Sequence, residues 1–408
     1  MESKIPWIRF QKTFGYGTAR GQKILDRFGG RPEKLFGEPM KNLAATGMFR
    51  PVELKNMTTA GSEESAWRVL DLCEDNGCQV LTPDDPDYPV NLRQISGFPA
   101  VLYVRGSLAG LDESLSIAMV GTRRPTEYGI KAADAIAGAL SEKGAVIVSG
   151  LAKGIDTASH IAALKAGGRT VAVLGCGIDI VYPAENARLA DLILRHGGAV
   201  VTEFPPGTQP MRHHFPIRNR IISGLSHGVV IVEGTRRSGS LITANHAYAQ
   251  SRDVFAVPGS IFSKTSEGPN YLLAQYAKAV DCVESILEEY EYRLHWEPRQ
   301  TEKINSQKTL SSFEQSEENG YNDGRRSEGK GRPGREEGEK AAPVRQPPGF
   351  LSEAQRKVFM ALSGEEPRTS DYIAQESGLA APAVLTALTQ LEIFGLVRTH
   401  PGKRFSRT

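Results

Sequence analysis

From Ser116 onward, short apolar runs alternate with longer segments whose apolar residues recur at helical spacing. The apolar runs predict strands over 117–120, 145–148, 170–174, 199–203, 228–232 and 253–257. The helical patterns predict helices over 127–142, 155–166, 184–195, 216–223, 240–250 and 269–277. Strands that alternate with helices indicate the α/β class, here an extended Rossmann-like, doubly wound parallel sheet.

The segments before and after this alternation have different patterns, which predict further domains. Residues 1–75 place Phe14-Gly-Tyr-Gly17 before a helical pattern and predict a helical domain that resembles a helix-hairpin-helix. Either its hairpin holds a nucleic-acid phosphate or the domain has no ligand. Residues 76–292 form the predicted Rossmann-like core. Residues 293–350 are rich in Gly, Ser, Pro and charged residues, so we expect a disordered linker there.

Residues 351–408 regain helical periodicity and predict a winged helix-turn-helix domain. Three helices, near 353–362, 369–376 and 381–393, precede a predicted hairpin with a Pro-Gly turn. Lys403 and Arg404 in this wing suit DNA. The predicted recognition helix contains no Lys or Arg, however, and a DNA-reading helix usually has some. A contact with protein is therefore favoured over a contact with DNA.

The composition indicates that any anionic partner has to be held by a local cluster of basic residues. Of 408 residues, 40% are hydrophobic and 24% charged, and the net charge is only +2, so bulk charge predicts no polyanion partner. Cys73, Cys78, Cys176 and Cys282 lack CxxC or zinc-ligand spacing and are typical of reduced thiols in a cytoplasmic protein. No signal peptide and no apolar run of about 20 residues is seen, so we expect no membrane insertion.

Basic side chains follow five of the predicted strands. They are Arg123 and Arg124, then Lys153, then Arg212, Arg218 and Arg220, then Arg236 and Arg237, and finally Lys264. Ligands of open α/β sheets bind beyond the carboxyl ends of the strands, so this recurrence predicts an anion site at that edge. The strand ending at Val148 also leads through Ser149-Gly150 and Gly154 into a helix, and such a turn offers unpaired backbone amides as a phosphate cradle.

Three acids, Asp156, Glu203 and Glu233, accompany the basic residues at this edge. They either orient the arginines and accept hydrogen bonds from sugars or bases, or they are ordinary strand-end and helix N-terminal acids. The sequence leaves both interpretations open.

Several common site chemistries are excluded by spacing. The dinucleotide GxGxxG pattern fails after Val120, no GxxxxGK[ST] occurs, and no nucleophile elbow is present. His213 and His214 are adjacent but have no further metal ligand at suitable spacing. We therefore predict no cofactor, no metal and no catalytic residue. Glycine turns and guanidinium groups without a catalytic pair suit a repeating phosphate ligand, namely single-stranded nucleic acid.

Aromatic platforms for base stacking are sparse at this edge. Phe204, Phe215, Tyr182 and Phe262 are the nearby candidates, and each is interpreted as a core residue. The bases should then face outward, with little sequence preference.

Five segments together resemble the DNA-processing protein A family (DprA/Smf) over about residues 80–290. The segments are Val120-Gly-Thr-Arg-Arg-Pro125, Ser149-Gly-Leu-Ala-Lys-Gly-Ile-Asp156, Phe215-Pro-Ile-Arg-Asn-Arg-Ile-Ile-Ser-Gly224, Glu233-Gly-Thr-Arg-Arg-Ser-Gly-Ser240, and Val257-Pro-Gly259 with Glu267-Gly-Pro-Asn270. The helical domain in front and the winged helix behind match the arrangement frequent in that family.

The resemblance implies a dimeric, non-catalytic protein that binds single-stranded DNA. Such proteins protect incoming DNA in natural transformation and load the RecA recombinase. The homodimer contacts would lie in the late Rossmann region, at about 254–290. The DNA contacts implied by the matching motifs are Gly121, Arg123, Ser149, Gly150, Lys153, Gly154, Arg218, Asn219, Arg220, Ser238, Gly239 and Ser240.

The alternative is an enzyme. The fold is related to that of the lysine-decarboxylase-like phosphoribohydrolases, which hydrolyse nucleotides with a Pro-Gly-Gly-x-Gly-Thr-x-x-Glu loop that ends in a catalytic glutamate. The corresponding segment here is Val232-Glu-Gly-Thr-Arg-Arg-Ser238. It lacks the double glycine and has Ser238 in place of the acid, so DNA binding is favoured.

Overall fold

The computed structural model describes residues 2–17, 19–291, 351–363, 366–393, 396–400 and 404–407. The chain divides into two compact units, one within 1–319 and the other within 320–408. The predicted linker, 293–350, lies outside the described residues.

The first unit is built on a nine-stranded sheet. Its strands are β1 (Gln79–Leu81), β2 (Leu102–Gly106), β3 (Ser116–Val120), β4 (Val146–Ser149), β5 (Thr170–Val173), β6 (Ala199–Thr202), β7 (Gly228–Ile231), β8 (Asp253–Ala256) and β9 (Lys278–Ala279). They lie in the order β1-β2-β6-β5-β4-β3-β7-β8-β9. All pairs from β6 to β9 are parallel, whereas β2 pairs antiparallel with both β1 and β6. The predicted doubly wound parallel sheet is therefore confirmed, with an antiparallel edge added.

Fourteen α-helices of the described chain belong to this unit. They are α1 (Ile5–Phe14), α2 (Ala19–Arg27), α3 (Pro32–Gly37), α4 (Met40–Ala45), α5 (Pro51–Thr58), α6 (Glu63–Asp75), α7 (Val90–Arg93), α8 (Glu127–Glu142), α9 (Ile155–Lys165), α10 (Ala187–Arg195), α11 (His214–Gly224), α12 (Gly239–Ala249), α13 (Glu267–Leu273) and α14 (Glu284–Glu291). Short 3-10 turns cover Glu2–Lys4, Ala184–Asn186 and Lys264–Ser266.

The central strands β3 to β7 are buried on both faces of the sheet, which explains why they are apolar runs without polar alternation. In β3, Ile117 and Met119 pack in the cluster that contains α8 and α9, while Ala118 and Val120 pack on the opposite face with α11 and α12. The chain thus builds β3 to β6 outward along one direction and returns through α11 to place β7 beside β3. The order of the strands reverses between β3 and β7, and this is where a ligand crevice opens in such sheets.

The N-terminal helices pack against the edge of the sheet that carries β2 and β6. One hydrophobic cluster joins residues of α1, such as Trp7 and Ile8, to Tyr103 and Val200 of the sheet. Gln11 strengthens this contact, because its side-chain amide donates to the backbone oxygen of Glu203 at 2.9 Å. Helix α1 was not predicted from the sequence, whereas the helical pattern near α2 was.

The second unit has the predicted winged-helix elements. Its helices are α15 (Glu353–Ala361), α16 (Ser370–Ser377) and α17 (Ala381–Ile393). The strands β10 (Arg368–Thr369), β11 (Val397–His400) and β12 (Arg404–Arg407) form an antiparallel sheet in the order β10-β12-β11. The predicted winged helix is confirmed, while the Pro-Gly turn and Lys403 of the predicted wing lie outside the described residues.

Across the described residues, no helix combines the length and the apolar character that a bilayer crossing requires.

Candidate nucleic-acid interface

A cleft of ≈ 620 Å³ lies at the carboxyl ends of the strands, where the loops after β3 and β7 diverge toward opposite faces of the sheet. The predicted site residues that line it are Gly121, Arg123, Arg218, Asn219, Ser238, Gly239 and Ser240. A side pocket of ≈ 70 Å³ shares Arg123 and Arg218 with the cleft and adds Gly150 and Lys153. Segments far apart in sequence therefore converge on one surface.

Glycine is required where the loops after β3 and β4 touch. A Cβ atom on Gly121 would lie 2.5 Å from Ile155 Cγ1, so α9 could not approach β3 as closely. Gly154 has φ +82°, and a Cβ atom there would lie 2.5 Å from the backbone oxygen of Thr122. That oxygen accepts a hydrogen bond from the Ile155 amide at 3.2 Å. These glycines thus position the cleft wall through backbone packing.

Part of the predicted phosphate cradle before α9 is occupied by the protein itself, which corrects the expectation of unpaired amides for Gly150 and Ala152. Asp156 Oδ2 accepts hydrogen bonds from the amides of Gly150 at 3.1 Å and Ala152 at 3.4 Å. Burial raises the pKa of Asp156, while the Arg218 guanidinium and these amides oppose that rise. The carboxylate takes the place that the sequence interpretation gave to a phosphate.

Arg218 is held at the floor of the cleft. It is only 4% exposed, and its Nη1 donates to the backbone oxygens of Val173 and, at 2.7 Å, of Gly150. Burial lowers the pKa of Arg218 to about 10, although Asp156 favours the charged form. The guanidinium therefore remains protonated at neutral pH and gives the cleft a fixed positive charge.

Arg123 supplies a second, exposed guanidinium on the same side of the cleft as Arg218. Its Cζ lies 5.4 Å from the centroid of the Phe215 ring, and Cζ of Arg218 lies 5.9 Å from the same centroid. Tyr182, 43% exposed, places its ring 5.6 Å from that of Phe215. Two cations and two aromatic rings thus share one wall, in a geometry that suits both phosphates and bases.

The start of α12 forms the opposite side of the cleft. Ser238 caps this helix, because its Oγ accepts a hydrogen bond from the Ser240 amide at 3.2 Å. The two serine hydroxyls lie 2.6 Å apart. Asn219 connects this wall to α11, since its side-chain amide donates to the Gly239 backbone oxygen at 3.2 Å and its Oδ1 accepts from Arg218. The serines and Asn219 present small polar groups at a helix N-terminus.

Glu233 has a structural role. It is 1% exposed, and its carboxylate accepts from the amide and hydroxyl of Thr126 at 2.8 and 2.6 Å and from the Thr265 hydroxyl at 2.9 Å. Both oxygens are therefore engaged in fixing the loops after β3 and β8. Of the two interpretations that the sequence left open for this acid, the structural one fits its contacts.

Arg220 does not line the cleft. It is 5% exposed and forms an ion pair with Glu203 at the junction between the sheet and the N-terminal helices. Glu203 also accepts a hydrogen bond from the amide of Gly17 at 3.3 Å, and Tyr16 stacks near Phe204 with 4.6 Å between ring centroids. The glycine hairpin that could have held a DNA phosphate thus contacts a carboxylate of the sheet.

The three remaining predicted site residues, Ser149, Gly154 and Lys153, differ in their exposure and contacts. The hydroxyl of Ser149 donates to the backbone oxygen of Met119 at 2.6 Å, and the side chain is fully buried. Gly154 acts through the packing described above. Lys153 is exposed at the mouth of the side pocket, where its Nζ lies 2.5 Å from Glu185 Oε1.

The histidines do not form a metal site: among the described residues, no group of three or more His, Cys, Asp or Glu side chains is arranged to hold an ion. His160 is fully buried beside Thr170, and burial lowers its pKa to about 3. His214 stacks on Phe204 with 4.2 Å between ring centroids.

Of the four aromatic residues interpreted as core, Phe204 is buried, whereas the interpretation is wrong for Phe215, Tyr182 and Phe262. Phe215 and Tyr182 line the cleft, and Phe262 is 91% exposed. A half-buried ring between two guanidiniums is part of the surface. A signal was present, because residues three apart on a helix share a face and Phe215 lies three residues before Arg218.

This fold and cleft define a Rossmann-like protein with a basic cleft at the topological switch point, followed in sequence by a winged-helix domain. The sequence profile described as DNA recombination-mediator protein A matches residues 79–291, and that of the DprA winged helix domain matches residues 340–403. The chain belongs to the DNA recombination-mediator protein A family, which confirms the resemblance drawn from its motifs.

Individual relatives agree with this assignment. The chain is 46% identical over 222 residues to the DNA processing protein DprA of Bacillus subtilis, covering 54% of this chain and 74% of that protein. It is 37% identical over 329 residues to the protein Smf of Escherichia coli, covering 79% and 76%. The crystal structure of DprA from Streptococcus pneumoniae matches with a TM-score of 0.60 and 36% identity, over 70% of this chain and 97% of that one.

Proposed function

We propose that this protein binds single-stranded DNA without sequence preference and that the cleft between β3 and β7 grips the phosphate backbone. The observation that carries the proposal is the convergence of Arg123, from the loop after β3, and Arg218, from α11, on one open cleft beside small polar groups at the start of α12. Cations with short polar side chains and amides suit phosphate oxygens, which are the same at every nucleotide.

The extent of the basic surface favours a polymer over a single nucleotide. Arg212 also lines the cleft, Lys153 lines the side pocket, and Arg236 and Arg237 follow on the loop after β7. A mononucleotide occupies only part of such a surface, whereas successive phosphates of a strand can reach each group.

The ring of Phe215 gives the cleft a place for a base. Stacking on an aromatic ring tolerates every base, so it adds affinity without sequence preference. This modifies the expectation that the bases face outward: at least one base can turn toward the protein at this point.

The contacts of the acids speak against the nucleotide-hydrolase alternative. The carboxylate of Glu233 accepts hydrogen bonds from Thr126 and Thr265, and that of Asp156 accepts them from the loop amides. At the position where the hydrolase loop carries its acid, Ser238 caps α12. A non-catalytic binding protein is therefore the function we propose.

The biological setting follows from the family. We propose that the protein acts in the cytoplasm in DNA processing during natural transformation and recombination, protects incoming single strands and loads the RecA recombinase as a homodimer that pairs through 254–290. The family description as a recombination mediator and the relatives' names as DNA processing proteins support this setting. For the domain organisation we keep the boundaries 1–75, 76–292, 293–350 and 351–408.

The test compares ligands and variants in one gel-shift series. We expect the protein to bind a long oligothymidylate more tightly than duplex DNA or a mononucleotide. Arg123→Ala should weaken single-strand binding, whereas Arg195→Ala should not, because Arg195 ends α10 at the opposite edge of the sheet. Equal binding by both variants and wild type, or release of free base from the mononucleotide, would refute the proposal.

A further inference from the structure

The loop after β8 exposes two large apolar side chains. Ile261 is 81% exposed and Phe262 is 91% exposed, whereas the preceding strand ends in buried Ala256, followed by buried Val257. Covering two adjacent apolar side chains at a loop tip removes apolar area from water, so this tip is a candidate contact surface.

This tip is held in place by its own hydrogen bonds. The amide of Phe262 donates to Ser260 Oγ at 3.3 Å, and the amide of Ser263 donates to the Ser260 backbone oxygen at 3.0 Å. Asn270 clamps the base of the loop, because its side chain both accepts from the Gly259 amide at 3.2 Å and donates to the Gly259 oxygen at 2.9 Å. The ring is therefore presented to solvent by a structured turn.

The tip adjoins the cleft through the loop after β7. The backbone oxygen of Thr265 accepts from the Gly234 amide at 2.6 Å, and residues 235 and 238 of that loop line the cleft. Phe262 lies three residues from Thr265, so its backbone is within about 11 Å of this contact. Nucleotides that leave the cleft over the β7 loop can reach it.

The surroundings of the tip are basic. Lys264 is exposed two residues after Phe262. Arg236, on the adjoining loop, holds its Cζ 4.9 Å from the Tyr271 ring centroid. An apolar ring next to cations matches a nucleobase beside its phosphates better than it matches a lipid chain or an apolar protein surface.

We propose that Phe262 stacks on a base of the single strand where the strand leaves the cleft across the β7 loop, with Ile261 covering the edge of that base. This inference rests on the proposed function and extends the DNA path to the loop after β8. The contact adds a second stacking site outside the cleft to the one proposed at Phe215.

The experiment measures dissociation constants for a long oligothymidylate that spans both loops and for a short one that fills only the cleft. Phe262→Ala should weaken binding of the long strand by about tenfold, with a range of roughly fivefold to a hundredfold, and leave the short strand unchanged. Phe262→Trp should restore the affinity, because it keeps a stacking surface. The salt dependence of Phe262→Ala should equal that of wild type, since no charge is lost.

Long-strand affinity that Phe262→Ala leaves unchanged would overturn the inference while the proposed function stands, provided that Arg123→Ala still weakens binding. A change in sedimentation of Phe262→Ala, with or without a change in DNA affinity, would also overturn it and assign the tip to the homodimer contact proposed for 254–290. Failure of wild type to bind either oligothymidylate would overturn the inference and the proposed function together.

Discussion

Arg220→Met distinguishes a structural arginine from a DNA contact. The motif resemblance assigns Arg220 to the DNA surface together with Arg218, but the structure pairs Arg220 with Glu203 beneath the N-terminal helices. We expect Arg220→Met to destabilise the fold and to leave the cleft intact.

The magnitude follows from burial. Side-chain exposure is 6% for Arg220 and 2% for Glu203, so removal of the arginine leaves a buried carboxylate without its cation. Breaking such a pair costs about 3–5 kcal/mol. Burial raises the pKa of Glu203, so the carboxylate can take up a proton, and we expect a value at the lower end of that range.

A second variant separates the lost charge from lost packing. Arg220→Met combined with Glu203→Gln removes both charges and keeps an acceptor for the Gly17 amide. Replacement of a buried ion pair by neutral groups is often nearly neutral. The wild-type pair is also incompletely satisfied, because Nε and Nη1 of Arg220 lack hydrogen-bond partners within the described chain. We therefore expect the double variant to lie within about 1 kcal/mol of wild type.

Urea unfolding followed by tryptophan fluorescence measures these differences, since Trp7 is 2% exposed within the affected junction. Single-strand affinity is measured on the same folded proteins. Wild-type stability of Arg220→Met, combined with a loss of affinity as large as that of Arg123→Ala, would show that Arg220 contacts DNA and that the reasoning is wrong.

Three further predictions concern the cleft wall, a buried histidine and the second unit. Gly154→Ala should destabilise the protein by about 1–3 kcal/mol and weaken DNA binding, because φ is +82° and the Thr122 oxygen lies 2.5 Å from the new Cβ. The control Gly138→Ala should not destabilise the protein, because Gly138 lies within α8 with open space around it. Equal unfolding midpoints for the two variants would contradict this prediction. The pKa of His160 is about 3 in the folded protein and near 6.5 in the unfolded chain, so only the unfolded chain gains a proton as pH falls from 7 to 5. The free energy of unfolding of wild type should therefore fall by about 2 kcal/mol more than that of His160→Gln over this range. Urea titrations at the two pH values measure this difference. Deletion of 351–408 should leave most single-strand affinity in place in a gel shift, and a collapse of binding would move the site to the winged helix.

The strands of the core were predictable because a strand buried on both faces consists of consecutive apolar residues. β3 was predicted as 117–120 and observed as Ser116–Val120, and the other five predicted strands also end within one residue of their predicted limits. Helix α1 escaped prediction because its residues are buried on several sides and show no clear polar face. Its proline near the first turn was a usable start signal.

The site was less predictable, because spacing does not say where a charge points. Arg218 and Arg220 are two residues apart on α11, so they lie about 200° apart around the helix and cannot share one surface. That periodicity could have separated them in advance. By contrast, nothing local shows that Asp156, instead of a ligand, would take the amides of Gly150 and Ala152.

The salt dependence of single-strand affinity tests the central claim most directly. For about five neutralised phosphates, the slope of log affinity against log salt should be about −3.5, which is roughly a hundredfold loss from 50 to 200 mM. Arg123→Ala should make that slope shallower by about 0.7, whereas Arg195→Ala should leave it unchanged. A flat response of wild type, or identical slopes for all three proteins, would contradict a cleft that binds DNA through its phosphates.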